Sequence, residues 1–216
     1  MLERMDNFFT ARVDGYDEHM KSNIEGADVF YGYTASLLPM TEGAAVLDLG
    51  CGTGLELEEF FKANPGAKVT GIDLTRSMLD ALKAKFPDKD ITLICGSYFD
   101  EPFGEDKFDG AVSVESLHHF TKEEKIPLYT RLCKALTSKG YFILTDCFSK
   151  SDEEEASLRQ ELLKIRKELD LPDGEFYHFD TPLTVEHEKE ALFSAGFSSV
   201  EVLKNWDKTY TLKASK

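Results

Sequence analysis

Hydrophobic positions in the middle of the chain form short apolar runs that are separated by amphipathic stretches of helical length. The apolar runs cover 45–49, 68–72, 91–94, 108–114 and 141–145. Helical patterns fill 55–63, 76–85 and 122–136 between them. Nearly continuous apolar strands that alternate with helices predict a parallel sheet covered on both faces. The right-handed crossover rule then predicts an open, doubly wound, Rossmann-like α/β fold.

The pattern changes after Asp146. A strongly charged helix is predicted from 151 to about 170, and another from 184 to 195. Strands are predicted at 198–204 and 208–213, joined by a turn that contains Trp206. This closing antiparallel hairpin makes the predicted sheet seven-stranded, mixed and mostly parallel. Residues 1–43 are rich in aromatic side chains and have no clear period.

Charge and cysteine usage narrow the classes of partner. The 216 residues carry 40 acidic against 25 basic side chains, a formal net charge of -15. Because such a surface repels phosphate backbones and anionic lipid, we expect neither nucleic acid nor a membrane as partner. No apolar run approaches the ~20 residues of a membrane span, and the N-terminus shows no secretory pattern. Four cysteines without a C-x-x-C pair indicate reduced thiols and a cytoplasmic location.

The strongest local motif is D-L-G-C-G-T-G, which runs from Asp48 to Gly54 after the first predicted strand. Alternate glycines allow a tight turn and a close approach of the backbone to a ligand. A dinucleotide fingerprint that starts at Gly50 needs its third glycine at 55, where this chain has Leu55. A carboxylate at Asp48 would repel a pyrophosphate but suits a cation. The motif therefore favours S-adenosylmethionine, a cationic nucleoside without phosphate, over a nicotinamide dinucleotide.

Asp73 ends the second predicted strand, about 20 residues beyond the loop, where a carboxylate can accept hydrogen bonds from both ribose hydroxyls. Leu74, beside it, is expected to pack on an adenine ring. An isolated acidic residue at a strand end is more often an ordinary helix cap. The spacing of Asp73 from the glycine loop favours ribose binding over a helix cap.

Taken together, these motifs resemble the class I S-adenosylmethionine-dependent methyltransferases of the small-molecule type, closely over residues 40–150 and in outline elsewhere. The resemblance implies that the loop holds the methionine part of the cofactor and that Asp73 holds the ribose. Ser97 occupies the position where the family usually has an acidic residue beside the adenine, so an adenine contact and a plain turn are equal alternatives there. The expected cofactor-binding residues are Asp48, Gly50, Cys51, Gly52, Gly54, Asp73, Leu74, Ser97, Tyr98, Ser113 and Glu115.

His118 and His119 follow the fourth predicted strand, where the resemblance implies that the acceptor enters. One of them can act as a general base, or both can simply hydrogen-bond within the fold. We expect no metal, because no third ligand has zinc-site spacing and Asp146-Cys147-Phe148 lacks the Asp-Asn pair of metal-dependent relatives. The expected acceptor-lining residues are Tyr16, Tyr31, Phe148 and Tyr177, for which core packing is the competing explanation.

The predicted function is methyl transfer from S-adenosylmethionine to a small molecule at oxygen, nitrogen or carbon, by a monomer or homodimer. A non-catalytic S-adenosylmethionine-binding regulator and a protein methyltransferase are the alternatives. We expect a single domain over 1–216. Residues 1–43 would form a lid, 44–150 the cofactor-binding core, and 151–216 a helical insert with the closing hairpin.

Overall fold

A single mixed sheet organises the computed structural model, which describes residues 2–172 and 174–216. The strand order is β3-β2-β1-β4-β5-β7-β6. Strands β1 to β5 run parallel, and β7 pairs antiparallel with both β5 and β6. The predicted doubly wound, seven-stranded sheet with an antiparallel C-terminal hairpin is confirmed. The strands are β1 Ala45–Leu49, β2 Lys68–Asp73, β3 Asp90–Cys95, β4 Phe108–Val114, β5 Leu136–Cys147, β6 Ser199–Trp206 and β7 Thr209–Ser215.

Helices cover both faces of this sheet. One hydrophobic cluster lies under α1, α6 and α8, and the other lies under α3, α4 and α5. No helix among residues 2–172 and 174–216 has the length and apolar content needed to cross a membrane. The helices are α1 Met5–Thr10, α2 Tyr16–Asn23, α3 Ala27–Ser36, α4 Leu55–Ala63, α5 Arg76–Lys85, α6 Lys122–Ala135, α7 Asp152–Glu168 and α8 Val185–Ser194.

Two features differ from the sequence-based expectation. Strand β5 begins at Leu136, directly after α6, because Leu136 pairs with Phe108 ahead of a bulge in the β4–β5 ladder. Trp206, predicted to lie in a turn, is the last residue of β6 and packs edge-on against Phe30 and Tyr33 of α3. The indole therefore ties the N-terminal helices to the far edge of the sheet.

Candidate active site

A cavity opens at the carboxyl ends of β1 to β4. Strand order reverses between β1 and β4, the position where open α/β sheets bind ligands. The predicted cofactor-binding residues that line the cavity are Gly50, Gly52, Asp73, Leu74, Ser97, Tyr98 and Glu115.

Two glycines of the loop have a backbone conformation that a residue with a side chain rarely adopts. Gly50 and Gly52 have φ angles of 73° and 47°. A Cβ atom on Gly50 would lie 2.0 Å from Ser116 Oγ, whereas the space beside Gly52 is open to 4 Å. Such geometry exposes backbone groups to a ligand in the cavity.

Asp73 is anchored to this loop by its own carboxylate. The Gly52 N–H donates to Asp73 Oδ2 at 2.9 Å, and the Thr75 N–H donates to Asp73 Oδ1 at 2.7 Å. Burial raises the pKa of Asp73, although these two backbone donors act against the increase. Each oxygen has a further lone pair for a ligand hydroxyl.

A buried carboxyl pair lies below the loop. Asp48, at the end of β1, is 1% exposed, and neither of its carboxyl oxygens has a hydrogen-bond donor other than the neighbouring Glu56 carboxyl group. Glu56 in α4 is 5% exposed, and its Oε1 also lacks a partner. Burial is the main cause of the raised pKa of both groups, and the proximity of Glu56 raises that of Asp48 further. The sequence pattern did not single out Glu56, because it lies within an otherwise apolar helix face.

Three other residues that were predicted to bind the cofactor lie behind the cavity wall. The Cys51 side chain packs against Gly71, where an added Cβ would lie 2.7 Å from the sulfur. Gly54 precedes α4 with a φ of 74°. Ser113 is fully buried, and its hydroxyl donates to the Leu49 carbonyl at 2.8 Å. These residues shape the loop and the sheet without lining the cavity.

A second, larger cleft adjoins the first. The N-terminal segment forms one wall and the ends of β4 and β5 form another. Its cover is fixed by backbone pairing, since the Met5 N–H donates to the Phe176 carbonyl at 2.9 Å and the His178 N–H to the Glu3 carbonyl at 3.0 Å. Four residues line both the cavity and the cleft: Phe9, Tyr16, Glu115 and His119.

Of the four residues predicted to line the acceptor side, Tyr16 lines both spaces, whereas the other three line neither of them. Tyr31 packs on Phe30 and lines a separate groove. Phe148 is 2% exposed and packs within the core. Tyr177 turns outward and donates its hydroxyl to Glu175 at 2.9 Å. Core packing explains Tyr31 and Phe148, whereas the neighbouring Phe176 provides the aromatic ring that lines the cavity.

Glu115 connects the cavity and the cleft in a strained conformation. Its φ of 47° is left-handed, which is uncommon for a residue with a side chain. Glu115 Oε1 accepts a hydrogen bond from the Thr209 hydroxyl at 3.0 Å. Burial and the nearby Asp146 raise the pKa of Glu115 to about 7. Strain of this kind is retained where the surrounding structure holds it, and it is frequent at functional sites.

The pKa values of the two histidines are shifted in opposite directions. His118 Nδ1 donates to Asp146 Oδ1 at 2.5 Å. Burial favours the neutral ring, but the acidic neighbours outweigh it, so the pKa of His118 is raised. Burial and the adjacent His118 lower the pKa of His119 to about 3. His119 Nδ1 lies 3.1 Å from the Phe179 carbonyl oxygen.

A further carboxylate, Asp180, lies beside the two histidines, although it is distant from both of them in the sequence. Asp180 Oδ1 lies 3.5 Å from His118 Nε2 and 3.3 Å from His119 Nδ1. Asp180 is thus a third potential ligand beside the histidine pair, which the spacing in the sequence did not indicate. Asp180 comes from the loop before α8, which only the tertiary structure brings to the end of β4.

Comparison with known proteins adds independent information. Residues 46–140 match the family model described as "Methyltransferase domain". The chain is 28% identical over 175 residues to a sterol 24-C-methyltransferase of Gibberella zeae, covering 76% of this chain and 42% of that protein. It is 33% identical over 137 residues to a cypemycin N-terminal methyltransferase of Streptomyces, covering 62% of this chain and 54% of that protein.

Solved structures support the fold. A putative O-methyltransferase from Nostoc punctiforme superposes with a TM-score of 0.72 at 20% identity, covering 99% of this chain and 62% of that one. The chain spans less than half the length of the first curated relatives that it matches, 42%, 41% and 27% of their residues.

Proposed function

We propose that this chain is a class I methyltransferase and that it transfers a methyl group from S-adenosylmethionine to a small molecule held in the cleft. The observation that carries the proposal is the meeting of cavity and cleft at Phe9, Tyr16, Glu115 and His119. The cofactor supplies an electrophilic methyl group on a sulfonium. What the protein adds is alignment and the exclusion of water.

The residues of the cavity fit this cofactor. Asp73 would accept from the ribose hydroxyls, and the backbone at Gly50 and Gly52 would contact the methionine part. Leu74, Ser97 and Tyr98 would surround the adenine. The acidic side chains around the loop, Asp73 in the cavity and Asp48 and Glu56 behind it, disfavour a pyrophosphate, because each of them that is ionised repels it.

The acceptor would lie against the wall shared by the two spaces. Tyr16 and Glu115 present a hydroxyl and a carboxyl group there, and both can orient an acceptor by hydrogen bonding. His118 Nδ1 faces Asp146 and His119 Nδ1 faces the Phe179 carbonyl, so a histidine base would have to act through Nε2. The proposed catalysis relies mainly on positioning, because the sulfonium methyl group is already electrophilic.

The N-terminal segment covers the cavity, and the backbone hydrogen bond between Met5 and Phe176 narrows access to it. We therefore propose a small acceptor. Relatives named for a sterol and for cypemycin act on different acceptors, so we keep oxygen, nitrogen and carbon as acceptor atoms. We also propose that the chain forms a single domain with an N-terminal lid and that it is located in the cytoplasm. The location is supported by four cysteines that are all unpaired.

Calorimetric titration with S-adenosylhomocysteine tests the cofactor site. Asp73→Ala should weaken binding by about 5- to 150-fold, which corresponds to about 1–3 kcal/mol for a lost charged hydrogen-bonding partner. Asp80→Ala, an exposed aspartate on α5, is the matched control and should bind as the unaltered chain does. Unchanged affinity in Asp73→Ala would remove Asp73 from the site.

Transfer of a labelled methyl group across a panel of alcohols, amines and activated carbons tests the catalytic step. Incorporation that depends on Asp73 supports the enzyme. Tight binding of S-adenosylhomocysteine without transfer to any acceptor would favour the regulator instead. Stabilisation by NAD and not by S-adenosylhomocysteine would refute the cofactor assignment.

A further inference from the structure

We propose that His118, His119 and Asp180 form a binding site for a divalent transition cation of the zinc type on the wall of the cleft. The three ligand atoms are His118 Nε2, His119 Nδ1 and Asp180 Oδ1. The site goes beyond methyl transfer, because it assigns a ligand that is neither the methyl donor nor the acceptor.

The distances match the coordination sphere of such a cation. Ligand atoms bound at about 2.0–2.2 Å with tetrahedral angles are about 3.3–3.5 Å apart. Asp180 Oδ1 lies 3.5 Å from His118 Nε2 and 3.3 Å from His119 Nδ1. All three atoms lie within 4.8 Å of one another. In the structure His119 Nδ1 also lies 3.1 Å from the Phe179 carbonyl oxygen. Cation binding would replace that hydrogen bond and move the ring proton to Nε2, together with small side-chain rotations.

An independent observation comes from the other side of the His118 ring. Its Nδ1 donates to Asp146, which is 2% exposed. Asp146 is itself oriented by the backbone N–H groups of Leu117, at 2.8 Å, and Cys147, at 2.9 Å. Histidines that bind a metal through Nε2 characteristically donate the other ring N–H to a carboxylate, which fixes tautomer and ring orientation. His118 already has this arrangement.

The loop that carries Asp180 is fastened to the histidine pair. The Thr181 N–H donates to the His118 carbonyl at 3.0 Å, and the Thr181 hydroxyl donates to the His119 carbonyl at 3.1 Å. These bonds hold the backbone of the Asp180 loop beside that of the two histidines. Both histidines are buried, Asp180 is exposed, and all three line the cleft. A bound cation would keep one coordination position toward the acceptor, as in zinc sites with three protein ligands.

A competing set lies on the Nδ1 side of His118 and consists of Glu115, Asp146 and Cys147 with His118. There the Nδ1–Oδ1 distance of 2.5 Å is that of a hydrogen bond and is too short for two ligands of one cation. Glu115 Oε2 is 4.0 Å from the same nitrogen. The geometry thus favours the Nε2 side. A protonated His118 held between Asp146 and Asp180, without a cation, is the alternative to be tested.

Zinc titration of the full chain, freed of metal by a chelator, is the direct test. We expect one Zn²⁺ per chain by calorimetry, and binding weakened about 100-fold or more in Asp180→Asn. His19→Gln is the matched control, since His19 lines the same cleft but bonds to Asn23. Cys147→Ser should keep the affinity, because Cys147 belongs to the competing set.

The spectrum of a Co²⁺-substituted sample gives a second measurement and should lack a sulfur-to-cobalt charge-transfer band. Loss of zinc binding in Cys147→Ser but not in Asp180→Asn would overturn the assignment, as would the absence of stoichiometric binding in the unaltered chain. S-adenosylhomocysteine binding is measured in every variant. It should persist in Asp180→Asn, which separates a failure of the metal site from a failure of folding or of the proposed methyl transfer.

Discussion

Two ion pairs join α6 to α8 in contrasting environments, and they predict a large difference in stability between two similar substitutions. Lys125 and Glu188 are buried, with side chains 2% and 1% exposed, and the Nζ–Oε2 distance is 2.6 Å. Glu188 also accepts a hydrogen bond from the Tyr129 hydroxyl. Lys122 and Glu190 pair at the surface of the same two helices.

Glu188→Gln keeps the volume of the side chain but leaves the Lys125 ammonium buried without an anion. Removing one partner of a buried pair costs about 3–5 kcal/mol, because the remaining charge is not solvated. Glu190→Gln should cost at most about 1 kcal/mol, because water already screens that pair. At about 2–4 °C per kcal/mol for a chain of this size, the expected decreases in Tm are about 6–20 °C and at most about 4 °C.

Thermal and urea unfolding, followed by circular dichroism, measure both variants against the unaltered chain. The double variant Lys125→Met with Glu188→Leu should recover part of the loss, since it removes both charges together. Equal decreases in Tm for Glu188→Gln and Glu190→Gln would refute the reasoning, because burial would then not determine the energy of these pairs.

Two further predictions concern the glycine loop and the carboxyl pair below it. Burial raises the pKa of Asp48 and Glu56, so the folded state holds more protons than the unfolded state, and stability should fall as pH rises above about 4. For Asp48→Asn, the free energy of unfolding measured with urea should fall less between pH 5 and pH 8 than it does for the unaltered chain. An equal fall would contradict this prediction. Gly50→Ala should weaken S-adenosylhomocysteine binding about 10-fold or more, because its Cβ meets Ser116. Gly43→Ala has the same positive φ in open space, so calorimetry should show unchanged binding, and equal losses would contradict the clash.

The best-predicted elements are those with strong local signals. The helices Leu55–Ala63 and Arg76–Lys85 and the strand Phe108–Val114 have the bounds that the apolar pattern indicated. Strand β5 was predicted too short, because its first residues owe their extended conformation to pairing with β4 across the sheet. Local residue preferences carry no information about a pairing strand that is distant in the chain.

The same distinction applies to the candidate site. Spacing within one βα unit was enough to place Gly50, Gly52 and Asp73 around the cavity. Phe176 and Asp180 carried no signal, because their role depends on a loop that folds back over the ends of β4 and β5. Glu56 was concealed in the same way by its position on the buried side of α4.

The sequence by itself determined the alternation of strands and helices, the glycine loop and the acid that follows it, because each depends on neighbours within a few residues or on one strand–helix step. The tertiary structure alone decided which groups meet at the cleft. It placed the N-terminal helices over the cavity, buried Asp48 beside Glu56, and brought Asp180 to the histidine pair. These are long-range contacts, and their geometry is set by the packing of the whole sheet.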